Sequence, residues 1–269
     1  MSLPPYALNQ ASFPEMYEHC LVGPLFLPWA RVLIDRTAPA RGESVLDVAC
    51  GTGIVARTAK ASVGSEGRVV GIDVSGPMLA MARSVAPAID WREGNAGALP
   101  LGAGEQFDVV FCQQGLQFFP DKPAAARQFR RAVAPGGRLA VATWRPDAEI
   151  PMFKELRAIA ERHLGPVVDL RHSFGETGPL EWLLAESGFR EVRVDTLSDI
   201  ARFDDGLVFA RLNTMALAGM SATAKSMTDD ERGRVVSAIV GDSGEVLADY
   251  ADGSGIAFEV RTNVAIARG

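Results

Sequence analysis

The stretch Val45–Gly53 reads V-L-D-V-A-C-G-T-G, and a second apolar run, V-V-G-I-D-V-S, ends at Ser75. Each run closes on an acid, Asp47 in the first and Asp73 in the second. An apolar run, a glycine-rich turn, a helical stretch and a second apolar run make one strand–helix–strand unit. In an open parallel sheet that unit sets two strand ends side by side with a carboxylate on each. Such folds bind their ligands in the crevice at that end. A ribose-bearing ligand is the expected occupant.

Two readings of the turn compete. Gly51-Thr52-Gly53-Ile54-Val55-Ala56 fits the dinucleotide pattern G-x-G-x-x-A, with Asp73 placed to take ribose hydroxyls. On that reading the chain is a nicotinamide-dependent oxidoreductase. Asp47 weighs against it, because a carboxylate ahead of the glycines repels a pyrophosphate. An acid there suits a ligand that carries positive charge, or else caps the loop backbone without touching any ligand.

The rest of the chain extends the alternation. Strands are expected at Ser44–Ala49, Arg68–Val74, Ile89–Glu93, Phe107–Cys112 and Arg138–Trp144. Helices are expected at Ile54–Val63, at Met78–Val85 behind a Ser75 cap and Pro77, and at Pro123–Ala134, stopped by Pro135-Gly136-Gly137. Strands separated by helices call for a parallel, doubly wound sheet. Residues 1–40 read as helical but interrupted by Pro14, Pro24 and Pro28. Beyond Trp144 come helices at Pro151–Leu164, Leu180–Ser187, Gly206–Met220 and Thr228–Tyr250, a strand at Arg190–Asp195 and a long final strand at Gly255–Arg268.

Composition narrows the class. With 48% hydrophobic and 22% charged residues the chain is globular. A net charge of −6 excludes a general nucleic-acid binder, which needs a basic footprint. Three cysteines, Cys20, Cys50 and Cys112, have no metal-ligand spacing and suggest a reducing compartment. No leader pattern and no run long enough to span a bilayer are seen, so a cytoplasmic location is expected.

Five segments together resemble the class I S-adenosylmethionine (SAM)-dependent methyltransferases, in particular the group that includes the ubiquinone/menaquinone-biosynthesis C-methyltransferases. They are residues 45–53, G-I-D-V-S-G-P-M-L (71–79), E-G-N-A-G-A-L-P-L (93–101), F-D-V-V-F-C-Q-Q-G-L-Q-F-F-P-D (107–121) and R-R-A-V-A-P-G-G-R-L-A-V-A-T-W (130–144). The resemblance implies an α/β, Rossmann-like, doubly wound, seven-stranded sheet with its last strand antiparallel, plus helical lid elements. The domains expected are a helical cap at 1–43, a cofactor-binding core at 44–200, a helical insertion at 201–254 and a final core strand at 255–269.

The cofactor implied is SAM, whose sulfonium and ammonium match the Asp47 argument. By resemblance Gly51 and Gly53 let the backbone approach the methionine part, and Asp47 orients the ammonium directly or through water. Ala49 belongs to the same loop. Asp73 accepts the ribose hydroxyls. Val74 and Met78 pack on adenine, and Asn95 with the Ala96 backbone reads the adenine edge. The family usually has an acid where Asn95 stands, so weaker adenine binding follows. Gln113 approaches the methionine moiety or the methyl group.

Methyl transfer is an in-line displacement that needs alignment and a dry site more than a catalytic dyad. The candidates for acceptor chemistry are His19, in M-Y-E-H-C, and Gln117, in the Gln113/Gln114/Gln117 cluster. His163 reads as a helix-dipole partner, and His172 lies in a loop. No metal site is expected. The acceptor expected is small or medium-sized and apolar; a non-catalytic SAM-binding protein is the reading from another class. The apolar helices at 206–250 suit a lid or a homodimer contact equally well.

Overall fold

The computed structural model describes residues 12–269, so residues 1–11 of the expected 1–43 cap lie outside the described residues. The chain divides into two compact units. One comprises residues 26–145, 174–197 and 262–269; the other comprises, among the described residues, 12–25, 146–173 and 198–261. The expected boundaries ran along the sequence at 43, 200 and 254. The contact boundaries instead assign Pro146–Ser173 to the second unit and fall inside two strands.

The sheet holds β1 (Ser44–Val48), β2 (Arg68–Asp73), β3 (Asp90–Glu93), β4 (Phe107–Gln113), β5 (Val133–Trp144), β6 (Arg190–Phe203), a two-residue β7 (Ala251–Asp252) and β8 (Gly255–Arg268). Its order is β3-β2-β1-β4-β5-β8-β6, with β7 hairpinned onto β8. The pairs β3–β2, β2–β1, β1–β4 and β4–β5 are parallel, and β8 runs antiparallel to β5. The seven-strand path with an antiparallel final strand is as the resemblance implies, and β7 is the addition.

In the first unit, helices cover both faces of this sheet. On one face α5 (Lys122–Ala132) and α7 (Thr177–Glu186) set Ala125, Phe129, Leu180 and Leu184 on Leu46, Val110 and Leu139. On the other, α2 (Leu27–Thr37), α3 (Ile54–Val63) and α4 (Gly76–Val85) set Leu33, Val55 and Leu79 on Val45, Val109 and Phe111. Strands covered on both sides need continuous apolar runs, and β1 and β4 have them. Strand β2 carries a glycine mid-run because Trp91 of β3 lies against it. A Cβ on Gly71 would overlap the Trp91 ring and come 3.1 Å from Cys50 Sγ.

The second unit is built on aromatic packing. Phe153 of α6 (Pro151–Leu164), Phe203 of β6, Phe209 of α8 (Gly206–Met220) and Phe258 of β8 lie with ring centroids 4.5–6.0 Å apart. His172 joins them, 5.3 Å from Phe153. After the short α9 (Ala222–Lys225), helix α10 (Asp229–Asp242) starts with the capping box read from Thr-Asp-Asp-Glu: Thr228 N donates to Glu231 Oε2 at 2.8 Å and Glu231 N to Thr228 Oγ1 at 3.3 Å. His163 pairs with Asp242 at the end of that helix, at 2.8 Å, so a specific carboxylate joins the expected dipole partner. Among the described residues no helix is long and apolar enough to cross a membrane.

Several local expectations need correction. The prolines do not break the N-terminal helix. After α1 (Phe13–Met16) a wide π-type stretch at Tyr17–Phe26 absorbs Pro24, and α2 follows without a gap. The helix expected over Pro123–Ala134 ends at Ala132, and the chain is already extended at Val133. Pro135-Gly136-Gly137 is a bulge in β5, opposite the register shift between Phe107 and Val109. Strand β6 continues to Phe203 because its inward positions change phase, from Val192 and Val194 to Ala201 and Phe203, which hides the alternation. The helix expected over Thr228–Tyr250 is two, α10 and α11 (Gly244–Asp249), parted at Ser243, whose hydroxyl donates to the Ile239 carbonyl at 2.8 Å.

The Trp91 contact yields a test. Gly71→Ala should destabilise the fold by about 1–3 kcal/mol through overpacking. Trp91→Leu in the same chain should recover part of that loss, so the double mutant is more stable than the two single changes summed. Urea denaturation of the three variants measures the coupling, and strict additivity would refute the steric account.

Candidate functional site

Strands β1 and β2 pair with Asp47 opposite Gly71 and Val48 opposite Ile72. The ladder continues one step into the loop, where Cys50 N donates to the Ile72 carbonyl at 3.1 Å. The chain then reverses in a tight turn, with Gly53 N donating to the Cys50 carbonyl at 2.8 Å. Three loop residues have left-handed backbone, Ala49 (φ 57°), Gly51 (φ 56°) and Gly53 (φ 89°). Glycine meets this at no steric cost, whereas Ala49 is strained. Gly53 answers a second demand, because a Cβ there would overlap the Trp91 ring.

The two acids hold this turn from both sides. Asp73 Oδ2 accepts from Gly51 N and Oδ1 from Ser75 N, each at 2.8 Å. Asp47 Oδ2 accepts from Ala56 N at 3.0 Å, in the first turn of α3, and its side chain is 1% exposed. Asp47 therefore makes the local backbone bond that a capping carboxylate would make. Burial, and then the nearby Asp73 charge, push its carboxyl up to about 8, against the opposing pull of Ala56 N–H. Burial also raises Asp73, opposed by backbone N–H groups of Ser75, Gly51 and Val74. The Cys50 thiol is raised by burial and then by both acids, so it stays protonated and is no nucleophile.

The remaining candidates take varied positions. Val74 is an apolar side chain 70% exposed directly after Asp73, and Met78 is half-buried in the first turn of α4. Ser75 caps that helix through Met78 N, as expected. Gly94 N donates to the Asp73 carbonyl, which ties the Asn95–Ala96 loop to the same strand end. Asn95 is exposed, but its Oδ1 already accepts from Gly97 N at 2.7 Å; Ala96 is buried. Gln113, at the end of β4, turns its Nε2 to the Phe26 carbonyl at 3.1 Å. Gln117 is buried, and its Nε2 donates to Gln114 Oε1 at 3.4 Å. His19 is exposed on the π-type stretch and belongs to the second unit.

Two more residues shape this crevice, Gln114 of the expected glutamine cluster and Gly115, which sequence reasoning passed over. Gln114 has left-handed backbone at φ 53°, and its Nε2 donates to Thr262 Oγ1 at 3.3 Å. At Gly115 a Cβ would stand 2.5 Å from that of Ala49, so this glycine lets the β4 loop close on the β1 loop. Its signal was present as a glycine just after an apolar strand, a common mark of close backbone approach.

Comparison with known proteins agrees with this geometry. Residues 45–137 match the family described as a methyltransferase domain. Over that segment the chain is similar to the class I SAM-dependent methyltransferases. The dinucleotide reading of the glycine turn therefore falls away. The nocamycin O-methyltransferase of Saccharothrix syringae is 34% identical over 191 residues, covering 62% of this chain and 66% of that protein. The ubiquinone/menaquinone biosynthesis C-methyltransferase UbiE of Enterobacter sp. is 33% identical over 155 residues, 55% of this chain and 61% of the relative. In both cases the match spans just under two thirds of the relative's own length. Phosphoethanolamine N-methyltransferase 2 of Haemonchus contortus, solved with SAM, shares the fold with a TM-score of 0.53 and 16% identity, over 96% of this chain and 60% of that one.

Asp47 makes stability depend on pH. Its folded value near 8 lies above the ordinary value of 3.8, so the folded chain holds a proton that the unfolded chain has released. The stability tied to that proton is full below about pH 4 and is lost as pH rises towards 8. Asp47→Asn removes this dependence. Urea denaturation at pH 5 and pH 8 should show wild type losing more stability over the interval than the variant, and equal losses would refute the assignment.

Proposed function

We propose that this protein transfers a methyl group from SAM to a small or medium-sized, apolar acceptor. The observation that carries the reading is the pair of acids at neighbouring parallel strand ends, set around a turn of left-handed backbone. One buried and one half-buried carboxylate, Asp47 and Asp73, suit a ligand that brings positive charge of its own.

The residues present fit that cofactor. Each carboxylate oxygen has two acceptor sites, so Asp73 retains capacity for a ribose diol while it holds Gly51 and Ser75. Val74 and Met78 offer apolar surface to a flat ring, and Met adapts to such faces. Ala49, Gly51 and Gly53 keep side-chain bulk off the path of the methionine portion. Asn95 has its Nδ2 donor for the adenine edge, beside the Ala96 backbone. Asp47, at 1% exposure, acts through its field and through Ala56 rather than by touching a ligand.

SAM supplies an electrophilic methyl group on a good leaving group, which an acceptor nucleophile displaces in line. The chain's part is to align the acceptor and exclude water. Gln117 is proposed to orient the acceptor through its amide. The O-methyltransferase and C-methyltransferase relatives act, by their names, on different atoms, and both are compatible with this arrangement.

Calorimetric titration with S-adenosylhomocysteine tests the reading. One-site binding is expected, and Asp73→Ala should weaken it by about 100-fold, the loss of two hydrogen bonds to a charged acceptor at about 1.5 kcal/mol each. A circular dichroism melt checks that the variant folds, since Asp73 also braces the turn. No binding, or equal binding by the folded variant, would overturn the proposal.

A further inference from the structure

Trp91 of β3 stands opposite Gly71 of β2 in the ladder and is buried. A strand covered on both faces ordinarily fills such a position with a branched apolar side chain. Here β2 has a glycine and the space belongs to the indole. Cζ3 and Cε3 of its six-membered ring take the room of a side chain on Gly71, and Cη2, Cζ3 and Cζ2 take the room of a side chain on Gly53. One ring therefore lies between the middle of β2 and the last glycine of the turn, the residue at which α3 starts.

The ring is held at this depth. Through its five-membered ring, Nε1 donates to the Ala86 carbonyl at 2.9 Å, and the Trp91 carbonyl accepts from Arg83 Nη2 at 3.1 Å. Arg83 and Ala86 are the last turn and the C-cap of α4. A hydrogen bond on one ring and close backbone contact on the other fix the tilt of the indole. The turn itself has little else to set the place of Gly53. Asp73 braces Gly51 N, but Gly53 N is used inside the turn, on the Cys50 carbonyl. The distance between Gly53 and the sheet is thus set by the ring packed between them. Close-packed interiors transmit such a constraint rather than absorb it. All these residues belong to the first unit.

We propose that Trp91 is a positioning residue for the cofactor: it acts through Gly53, holding the turn's backbone where the methionine portion of SAM fits. The inference rests on the SAM reading of this turn. A smaller side chain at 91 lets Gly53 settle towards β2, and the backbone that the methionine portion meets moves with it. The ribose side of the crevice depends less on the ring, because Asp73 is also fixed through Ser75 N.

The test uses the full chain, with S-adenosylhomocysteine and adenosine as calorimetric probes beside urea denaturation. Trp91→Leu should lower the urea midpoint and weaken S-adenosylhomocysteine binding by at least about tenfold, the scale of a misplaced binding backbone. Adenosine, which lacks the amino-acid portion, should bind variant and wild type alike. Adding Gly71→Ala to Trp91→Leu refills the space beside β2 but not the space beside Gly53. It should raise the urea midpoint and leave S-adenosylhomocysteine binding weak. Trp91→Phe, the milder truncation, gives the same comparison if the leucine chain fails to fold. An affinity that recovers with the midpoint, equal weakening of both probes, or unchanged S-adenosylhomocysteine binding by the folded variant would overturn the positioning role and leave the cofactor reading standing. No S-adenosylhomocysteine binding by the wild-type chain would overturn the cofactor reading, and the positioning role with it.

Discussion

One carboxylate holds the crevice together. Asp73 ends β2, yet its two oxygens reach the glycine turn after β1 and the helix start after its own strand. Its carbonyl accepts from Gly94 beyond β3. Three neighbouring strand ends are thus tied at a single residue. The bonds are charge-assisted when the group is ionised, and they satisfy backbone donors that a turn of left-handed residues cannot pair within itself. Without them Gly51 and Ser75 would have to find other acceptors, and the turn would lose the brace that fixes its direction.

Around that brace, small residues decide how closely the loops approach. Trp91 occupies the space that side chains on Gly53 and Gly71 would need, so one large ring sets two glycines. Its indole nitrogen is anchored to the Ala86 carbonyl at 2.9 Å, so the ring is held in position. On the other side Gly115 meets Ala49. The strain at Ala49 and Gln114, two left-handed non-glycine residues on loops that touch, is held by packing from both sides. Size complementarity and backbone strain work together here, and neither is visible from the motif pattern alone.

Much of this was legible because it follows from periodicity and local chemistry. The buried runs of β1, β2 and β4 have no alternative use, and Ser75 and Thr228 announce their helices through short-range caps. What was not legible depends on distant partners. The phase change in β6 hides its second half, and the Pro135-Gly136-Gly137 bulge looks like a helix stop until its neighbour β4 is placed beside it. The use of Asn95 Oδ1 for its own turn, and of the Gln113 amide for the Phe26 carbonyl, follows from geometry that spacing cannot encode. Residue types at the site were readable, but which atoms of those residues remained available was not.

The same distinction explains the electrostatics. Two acids with raised values in one crevice cannot both ionise cheaply, because each charge is desolvated and each repels the other. Near neutral pH Asp47 therefore keeps its proton, while Asp73 is favoured as the charged member by the three backbone N–H groups that face it. A ligand that carries positive charge changes this balance: its field favours ionisation of Asp47 and lowers the cost of the Asp73 charge. A polyanion such as a pyrophosphate does the reverse and drives both acids towards the neutral state. On the proposed reading the crevice therefore favours a cationic ligand over a polyanion before any ring-specific contact is made. That selection comes from where the sheet puts two ordinary carboxylates, at adjacent strand ends with one exposed apolar residue, Val74, beyond them.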